Sequence, residues 1–541
     1  MIDLVMVTAG TQGDIDKKHP PMGLLYIGSS LRQAGFDVRI HHVLGTNEEE
    51  MEQTCQRIAK GNPLFVGVSV LSGMTTYCAA KFSQRLKQLD PAIKIVWGGH
   101  HPTIMAEQCV AEAYVDIVGL TEGEETCVEL ARVLDSGKDL STVDGIVFKK
   151  DGRTLKTAPR PLIEDLDRLP LDWSLLRLED YKIHQTNGGV VLSFFSSRGC
   201  PYICGFCSTF EYSGRSWRAH SPDYCVEHIS YLKESYGINS VYFSDDLFMV
   251  QKRRAYNILE RLCDKGITCG TLDVRVNMID DEMLQRFTEY GTSGIFIGWE
   301  SGSDRLLKFM DKGLTFEETK QCAKLLSKYP KISFWMSGMV AVPTETREEM
   351  YQTINGAMDL HKILPNATVS LWRYMPLPGT KLFRQAVADG FEAPKTTEEW
   401  RRVDPQVDDY RITWLKWFTE EDDRNIEMTQ QLSRSIYIRK AYHPIRPLAW
   451  IKNGFAALLR YRIRKQWYSF MVDLRIQRFL CDLYLFALKL VKRQDLRRGR
   501  GDLRGNTSVL LGKGHTKVRE VYNNELLLGM NETTANPYHR S

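Results

Sequence analysis

The chain has 541 residues, a hydrophobic content of 43%, a charged content of 26% and a formal net charge of +4. This composition is that of a soluble globular protein with two to four domains, each able to bury its own core. The small net charge gives no support for nucleic-acid binding, no apolar run reaches the roughly 18 residues of a membrane span, and the first residues lack a secretory signal pattern. We therefore expect a cytoplasmic protein whose twelve cysteines are reduced thiols and not a disulfide framework.

Residues 1–140 alternate short apolar runs with helical patterns. The expected strands are Asp3–Val7, Val38–Ile40, Phe65–Val70, Ile93–Trp97 and Val115–Gly119. A helix is expected over Met22–Ala34, with Gly35 as its stop signal. Strands separated by helices of this length predict right-handed βαβ units and a doubly wound, Rossmann-like parallel sheet. Such sheets bind ligands beyond the carboxyl ends of their strands, where this chain places Ser69, Gly98–Gly99, His100–His101 and Glu122–Glu124.

A connector over residues 141–188, with a hairpin turn at Lys150–Gly152, separates this region from a second alternation of strands and helices. The expected strands of the second region are Val190–Ser196, Ser240–Ser244, Thr271–Arg275, Gly294–Trp299, Phe334–Val342 and Thr368–Trp372. Strands and helices alternating over residues 189–390 predict a partial (βα)6 barrel, whose active site collects at the C-terminal strand ends. Asp245 and Asp246 follow the second strand, Arg275 ends the third and Glu300 follows the fourth.

The most informative stretch is Cys200–Cys207, a CxxxCxxC run on the loop that leaves the first barrel strand. Thiolates are soft ligands that suit iron–sulfur clusters or zinc. Three thiolates on a [4Fe–4S] cluster leave one iron open to a small molecule. A structural zinc site needs a fourth ligand instead, which His220 or Cys225 lies near enough in sequence to supply.

At these residues the chain resembles the radical SAM superfamily, whose signature is CxxxCxφC with an aromatic residue at φ, the place that Phe206 fills. The resemblance implies that Cys200, Cys204 and Cys207 hold a [4Fe–4S] cluster whose fourth iron is chelated by S-adenosylmethionine (SAM). Ser244-Asp245-Asp246 stands where the family has the Gly-Gly-Glu that binds the SAM amino group, and Ala341 stands where the adenine-backing segment often has glycine. The SAM contacts implied are Phe206, Asp245, Asp246, Arg275 and Glu300.

The N-terminal region resembles the cobalamin-binding domains that are fused to radical SAM enzymes. Pro20–Gly23, Ser69–Leu71, Trp97–His100 and Thr121–Glu124 fall in the order of that family's segments. The cobalamin contacts implied are Gly23, Ser69, Gly98, Gly99 and Gly123. The cobalt-ligating DxHxxG motif is absent between Thr8 and Gly23, so the implied cofactor is base-off cobalamin with no histidine on cobalt. By themselves, a Gly-Gly pair is more often a plain turn, and lone histidines such as His19, His100 and His101 are more often solvated or hydrogen-bonded.

Together, the two resemblances imply a biosynthetic C-methyltransferase that acts on an unactivated carbon through a 5′-deoxyadenosyl radical and methylcobalamin. Its substrate would be a small molecule, natural-product or lipid-like, and its electrons would come from an external flavodoxin or ferredoxin. A cobalamin-dependent radical cyclase or rearrangement enzyme shares every motif named above. From other classes, a non-catalytic cobalamin or iron–sulfur sensor and a zinc-stabilised binding module stay open.

Residues 391–500 match no segment of these families. Residues 400–435 are charged and helical in pattern, and from Ile436 to Arg498 aromatic and apolar residues alternate with arginines and lysines. This pattern fits either helices that cap the barrel mouth, with arginine stems covering apolar surface, or a basic amphipathic surface for peripheral contact with a membrane or a lipid-like substrate. We favour the capping helices. Residues 501–541 are rich in Gly, Asn and Thr and are expected to form a mobile tail.

Overall fold

The computed structural model describes residues 1–9, 19–184, 189–365, 367–407, 409–437, 454 and 457–468. Most of the basic stretch after Ile436 and the whole tail from residue 501, for which capping helices, membrane contact and mobility were predicted, lie outside these residues. The chain separates into two compact units, one running from Met1 to Phe418 and the second beginning at Thr419. None of the helices in the described ranges is long and apolar enough to cross a bilayer.

The first region of the chain forms a seven-stranded sheet in the order β2-β1-β3-β4-β5-β6-β7. Its strands are β1 Ile2–Thr8, β2 Val38–Leu44, β3 Val66–Ser69, β4 Ile95–Gly98, β5 Ile117–Gly119, β6 Ile146–Lys150 and β7 Arg153–Lys156. Strands β1 to β5 are parallel. The chain first moves outward to β2 and then returns to β3 beside β1, so the carboxyl edge has a topological switch point between β1 and β3.

Helices cover both faces of this sheet, as a doubly wound fold requires. They are α1 Met22–Gln33, α2 Glu48–Lys60, α3 Met74–Leu89, α4 His100–Ile104, α5 Ala106–Ala111 and α6 Gly123–Ser136. On one face, Leu31 of α1 and Leu130 of α6 pack with Phe65 in an apolar core. On the other face, Ile58 of α2 and Phe82 of α3 pack with Val66 and Val68 of β3 in a second apolar core. The predicted Rossmann-like sheet is confirmed.

The hairpin that we expected in a separate connector is part of this sheet. Strand β6 pairs antiparallel with β5, and β7 pairs with β6. The pairing covers the edge of the short strand β5 and buries Ile146, Val147 and Phe148, which a hairpin outside the sheet would leave in water. We therefore propose that the first domain ends after Lys156 and not at residue 140.

The second region contains two four-stranded sheets, in the orders β13-β12-β9-β8 and β14-β15-β16-β17. Its strands are β8 Ile183–His184, β9 Val190–Phe194, β10 Ser197–Arg198, β11 Arg218–Ala219, β12 Ser240–Phe243, β13 Thr268–Cys269, β14 Thr271–Arg275, β15 Gly294–Glu300, β16 Ser333–Val340 and β17 Thr368–Arg373. Only Gly270 separates β13 from β14, so the six predicted strands follow one another as a partial barrel of parallel strands. The predicted barrel is confirmed.

Helices fill the connections between the barrel strands. They are α7 Thr209–Ser213, α8 Pro222–Tyr236, α9 Lys252–Asp264, α10 Asp281–Glu289, α11 Asp304–Phe309, α12 Phe316–Leu326, α13 Arg347–Ile363 and α14 Lys381–Ala388. Local sequence fixes the starts of α12 and α13: Thr315 with Glu318, and Thr346 with Glu349, form capping boxes. Each box satisfies backbone N–H groups that have no partner inside the helix.

Residues 391–418, which we call the strap, depart from the predicted helical region. The strap holds a 3₁₀ turn over Glu398–Val403, and the next α-helix, α15, covers Glu420–Tyr437. Pro394 and Pro405 prevent a continuous helix through the strap. Its Trp400 indole donates a hydrogen bond to Gln108 in the N-terminal region at 2.6 Å, and its Trp414 indole donates to the carbonyl of Ala341 in the barrel at 2.8 Å. The strap therefore bridges the two regions of the first unit.

Candidate functional site

The three motif cysteines lie on the loop between β10 and α7, which we call the cluster loop (Gly199–Ser208). Cys204 is buried, while Cys200 and Cys207 are half-buried. The middle of the loop is fixed by Gly205, whose N–H donates to the carbonyl of Met310 at 2.8 Å and whose carbonyl accepts from the N–H of Leu382 at 2.9 Å. The loop is thus held at the barrel end by two segments that follow it in the chain.

The three thiols of the cluster loop suit an iron–sulfur cluster as ligands. In the described parts of the chain, no group of three His, Cys, Asp or Glu side chains is placed to hold a single metal ion. A cluster instead supplies a separate iron to each thiolate. Burial, with smaller contributions from Cys207, Asp246 and Cys204, raises the pKa of Cys200 to about 12. Metal binding must therefore displace protons from these thiols.

The two residues considered as a fourth zinc ligand each have protein partners. The Nε2 atom of His220 is 3.0 Å from the Tyr26 hydroxyl, and its Nδ1 atom is 3.0 Å from Asp167. Cys225 is buried beside Arg254, whose Nη2 atom lies 3.6 Å from its sulfur. Both side chains therefore serve packing and hydrogen bonding in this structure, which gives no support to a zinc site completed by His220 or Cys225.

Gly199 sets the path of the chain into the first cysteine. Its φ angle is +84°, and a Cβ atom at this position would lie 2.2 Å from the carbonyl oxygen of Ser216. Its N–H donates to Asp246 at 2.9 Å. Only glycine satisfies the left-handed backbone and the close approach together.

We expect Gly199→Ala to weaken the cluster loop more than Gly214→Ala does. Gly214 also has a positive φ, +59°, but no atom lies within 4 Å of its Cβ position. The Gly214 variant should lose about 1–3 kcal/mol of unfolding free energy, the cost of a backbone conformation that side chains disfavour, since its φ of +59° and ψ of −142° lie outside the left-handed helical region. The Gly199 variant should lose more and retain less iron after reconstitution, because the β10–β11 hairpin must open. Equal losses of stability and iron in the two variants would contradict this account.

The adjacent carboxylates after β12 have different surroundings. Asp245 is buried and accepts hydrogen bonds from the Ser196 N–H at 2.7 Å and the Ser196 hydroxyl at 2.6 Å. Burial raises the pKa of Asp245. Asp246 is partly exposed and faces the cluster loop, where it also accepts from Thr209 at 3.2 Å. Asp246 is therefore the carboxylate of the pair that faces the cluster loop, whereas Asp245 braces the end of β9.

Arg275 lies directly against the cluster loop. Its Nη1 atom donates to the Cys204 sulfur at 3.0 Å, and its guanidinium lies 3.8 Å from the centre of the Tyr202 ring. Its second terminal nitrogen donates to the carbonyl of Lys312, and its buried Nε has no hydrogen-bond partner. The side chain predicted to contact SAM therefore contacts a motif cysteine.

Glu300 forms a buried ion pair that the sequence did not reveal. Its Oε1 atom accepts from the Lys312 ammonium at 2.7 Å, and the side chains are 9% and 6% exposed. Glu300 has a φ of +64°, and the register of β15 against β16 shifts between Gly298 and Glu300. The Lys312 nitrogen lies 5.7 Å from the centre of the Phe206 ring, so the pair faces the cluster loop. Backbone strain of this kind is concentrated at functional sites.

The loop after β16 carries two further positive φ angles, +62° at Ala341 and +67° at Thr344. Ala341 thus keeps the left-handed backbone that glycine would adopt at this position, although it has a side chain. The indole of Trp417 in the strap donates to the carbonyl of Glu345 at 2.7 Å, as that of Trp414 does to Ala341. The strap therefore supports the strained loop from outside.

The buried carboxyl of Glu345 predicts a pH-dependent stability. Burial raises its pKa to about 8 from an ordinary value of 4.5, so the folded protein keeps a proton that the unfolded chain releases. The contribution of the protonated Glu345 carboxyl to the free energy of unfolding is fully present below about pH 4.5 and is lost as the pH rises to about 8. Between these values, wild type should lose up to about 1.4 kcal/mol per pH unit relative to the neutral variant Glu345→Gln. Urea unfolding of both proteins across this range measures the difference, and a constant difference would refute the prediction.

At the carboxyl edge of the N-terminal sheet, Ser69, Gly98 and Gly99 form what we call the glycine edge. No atom lies within 4 Å of a Cβ built on Gly98, or on Gly23 at the start of α1, so both leave open space that a side chain would fill. Gly99 has a φ of +100° and packs against the carbonyl of Val70. Gly123 differs, because its Cβ position lies 2.7 Å from the end of the Ile27 side chain, so the packing of α6 on α1 favours a small residue there. Gly23 and the three residues of the glycine edge therefore leave room for the close approach of a large ligand.

The two histidines after the glycine edge lie in different environments. The ring of His100 stacks on Tyr212, with centroids 3.8 Å apart and planes 10° apart, and burial lowers its pKa. His101 is buried against Trp400 of the strap, and its Nδ1 atom is 3.0 Å from the Ser72 hydroxyl. Burial lowers the pKa of His101 to about 3. His100 therefore reaches the helix that follows the cluster loop, whereas His101 belongs to the core.

A second bridge joins the same edge to the other end of the cluster loop. The acidic turn, Thr121–Glu124, follows β5 and was predicted only to line a ligand. Arg198 of β10 donates to Glu122 at 2.9 Å and to Glu124 at 2.7 Å, and Arg218 of β11 donates to Glu122 at 2.8 Å. Sequence reasoning missed this network, although the position of Arg198 two residues before Cys200 was a usable signal.

Comparison with known proteins agrees with both regions. The B12 binding domain family matches residues 12–131, and the Radical SAM superfamily matches residues 194–356. A protein of Pyrococcus horikoshii named as an uncharacterized methyltransferase is 32% identical over 442 residues, which cover 81% of this chain and 90% of the relative. The anaerobic magnesium-protoporphyrin IX monomethyl ester cyclase of Rubrivivax gelatinosus is 29% identical over 375 residues, which cover 68% of this chain and 66% of the relative.

Among solved structures, the radical SAM methyltransferase TsrM of Kitasatospora setae, determined with cobalamin and a [4Fe-4S] cluster bound, has a TM-score of 0.60. The match covers 86% of this chain and 99% of that one at 15% identity, which shows a shared fold. The predicted family is confirmed by the two domain matches and by the relative from Pyrococcus horikoshii. The chain belongs to the radical SAM enzymes that carry an N-terminal cobalamin-binding domain and is a cobalamin-dependent radical SAM enzyme.

Proposed function

We propose that this enzyme is a C-methyltransferase that adds a methyl group to an unactivated carbon of a small molecule. The observation that carries the proposal is a pair of contacts between the carboxyl edge of the N-terminal sheet and the residues that flank the cluster loop. His100, which follows the glycine edge, stacks on Tyr212, and Arg198 donates to Glu122 and Glu124 of the acidic turn. These contacts would place a methyl-carrying cofactor beside a radical-generating one. The Pyrococcus horikoshii relative, of which the chain covers 90%, carries a methyltransferase name, which supports methyl transfer.

In this proposal, Cys200, Cys204 and Cys207 bind a [4Fe–4S] cluster, and Arg275 positions it. The guanidinium hydrogen bond to the Cys204 sulfur would stabilise negative charge on that ligand, and hydrogen bonds to sulfur tune the reduction potential of such clusters. The stack on Tyr202 keeps the guanidinium in one orientation. When bound, the cluster and SAM supply a 5′-deoxyadenosyl radical, and cobalamin supplies the methyl group.

The charged groups at the barrel end suit the amino-acid portion of SAM. That portion carries one ammonium and one carboxylate group, and buried charges are stable only when they are paired. Asp246 offers a carboxylate at the cluster loop, while Lys312 and Glu300 offer one charge of each sign beside Phe206. We propose that these groups orient SAM, with the loop at Ala341 behind the adenine.

On the N-terminal side, we propose that Gly23, Ser69, Gly98 and Gly99 hold cobalamin in its base-off form. The open space at Gly23 and Gly98 and the left-handed backbone at Gly99 support the close approach of a large ligand. The acidic turn would border the same cofactor. We further propose a flavodoxin or ferredoxin as electron donor.

A cobalamin-dependent cyclase is the second candidate. The curated relatives include the Rubrivivax gelatinosus cyclase at 29% identity, and every site residue named here would serve a cyclase equally well. A cyclase needs the radical but no methyl group. The products formed from SAM therefore separate the two functions.

The test is anaerobic reconstitution of the full chain with iron, sulfide and hydroxocobalamin, followed by incubation with SAM and a reductant. Bound iron and cobalt are measured, and 5′-deoxyadenosine and S-adenosylhomocysteine are quantified. A methyltransferase forms both nucleosides, whereas a cyclase forms only 5′-deoxyadenosine. A protein that holds both cofactors and forms neither product would contradict catalysis and favour a sensor.

A further inference from the structure

Both ends of the cluster loop are held by residues from one edge of the cobalamin-binding domain. At the start, Arg198 precedes Gly199 and Cys200 directly and is bound by the acidic turn. At the end, Tyr212 lies under the His100 ring. The loop that carries the cysteines is therefore tied to a second domain on each side, and a loop serving the barrel alone would not need either tie.

Arg198 is the stronger of these ties. Its two terminal nitrogens bind separate carboxylates, Glu122 at 2.9 Å and Glu124 at 2.7 Å, and its guanidinium lies 4.9 Å from the centre of the Tyr26 ring. The side chains of Arg198 and Glu124 are 19% and 4% exposed. A planar guanidinium in such a fork is held in one orientation, and charge-assisted bonds of this kind are strong.

The position of Arg198 determines where the chain enters the first cysteine of the motif, Cys200. The next residue, Gly199, is fixed by its N–H bond to Asp246, and Asp246 also binds Thr209 just beyond the last cysteine. The Cys207 thiol in turn donates to Thr209 at 3.4 Å. A shift of the acidic turn would therefore move Arg198, Gly199 and Asp246 together, and with them both ends of the loop.

We propose that Arg198 is a positioning residue that couples the two cofactor sites, so that cluster binding and cobalamin binding strengthen each other. The inference rests on the cofactor positions of the proposed function. Ordering the acidic turn and the cluster loop against each other costs conformational entropy once, and the second cofactor then binds to a site already ordered. Such coupling is reciprocal and commonly amounts to about 5- to 150-fold in affinity.

The experiment measures cobalamin affinity with and without the cluster. The full chain, before and after anaerobic reconstitution with iron and sulfide, is dialysed to equilibrium against hydroxocobalamin, and bound cobalt is measured by mass spectrometry. Wild type should bind at least about fivefold more tightly when the cluster is present. Arg198→Lys keeps the positive charge but loses the two terminal nitrogens that bind Glu122 and Glu124. In this variant, the ratio of cobalamin affinity with the cluster to that without it should fall towards one.

The matched control is Asp139→Asn. Asp139 pairs with Lys150 at 2.7 Å in the same domain, with both side chains about half-exposed, and this variant should keep the wild-type ratio. If Arg198→Lys does not fold, Glu124→Gln removes the opposite charge on the far side of the contact, away from the cysteines, and should lower the ratio in the same way.

A wild-type ratio of one, or a ratio unchanged in both Arg198→Lys and Glu124→Gln, would overturn the inference. Such a result alongside formation of both SAM products would leave the proposed function standing. Absence of hydroxocobalamin binding in either form of wild type would instead contradict the proposed function, and the coupling with it.

Discussion

A Cys204→Ala protein is expected to retain less than about a tenth of the wild-type cluster and to form less than about 1% of the wild-type 5′-deoxyadenosine, because the cofactor carries the radical chemistry. Cys204 is the buried member of the motif and the one that Arg275 contacts. Without its sulfur, the loop keeps two ligands for the cluster and leaves the Arg275 guanidinium facing a cavity.

Cys225→Ala is the matched control for this loss. Like Cys204, Cys225 is a buried free thiol, and it lies only 18 positions after Cys207, the last cysteine of the motif. It should keep the iron and the 5′-deoxyadenosine yield of wild type. Loss of metal in Cys225→Ala, or retention of a stoichiometric cluster in Cys204→Ala, would contradict the assignment of the cluster loop.

Lys312→Met is expected to lower the free energy of unfolding by about 3–5 kcal/mol, because it leaves the carboxylate of Glu300 buried without its partner. The ion pair is 2.7 Å long and almost fully buried. Lys150→Met breaks a pair of the same length with Asp139, but there the side chains are 46% and 47% exposed. The exposed pair should cost less than about 1 kcal/mol. Urea denaturation followed by tryptophan fluorescence measures both variants.

The double variant Lys312→Met with Glu300→Gln separates charge from packing. Removing the charge should reduce the loss to about 1–3 kcal/mol, the cost of an unsatisfied buried amide. Both the single and the double variant should bind SAM more weakly than wild type in equilibrium dialysis. A double variant that is no more stable than the single one would show that the unpaired charge is not the cause. Wild-type SAM affinity in the double variant would remove Lys312 and Glu300 from the proposed SAM site.

The sequence predicted the elements whose signals are local. Thr271–Arg275 was predicted residue for residue as a strand, since Leu272 and Val274 alternate with polar residues directly after Gly270, which is a strand pattern. The spacing of Cys200, Cys204 and Cys207, which indicated the radical SAM family, likewise needs no knowledge of the remaining chain. Both successes rest on patterns shorter than one strand and its loop.

The contacts missed by sequence analysis are distant in the chain. Arg198 and Glu122 are separated by 76 positions, and each charge alone is typical of a protein surface. Trp400 and Gln108 are separated by 292 positions, so the strap could be recognised only after folding. Pairing of β6 with the edge of β5 is equally non-local, which is why the hairpin was assigned to a connector.

Asp245 and Asp246 show that sequence analysis could not decide which of two adjacent carboxylates faces the site. Adjacent residues of an extended segment point in opposite directions, so one of the two had to turn inward. Sequence alone did not indicate which. The inward residue became the acceptor for Ser196, and the other faced the cluster loop.

The central claim is that a methyl group passes through the cobalamin-binding domain of this enzyme. It is tested most directly by incubating the reconstituted protein with SAM deuterated in its methyl group and a strong reductant, without any substrate, and then measuring the mass of the extracted corrinoid. We predict a corrinoid that carries the trideuterated methyl group, together with an equal amount of S-adenosylhomocysteine. An unmethylated corrinoid on a protein that still forms 5′-deoxyadenosine would contradict methyl transfer and favour the cyclase.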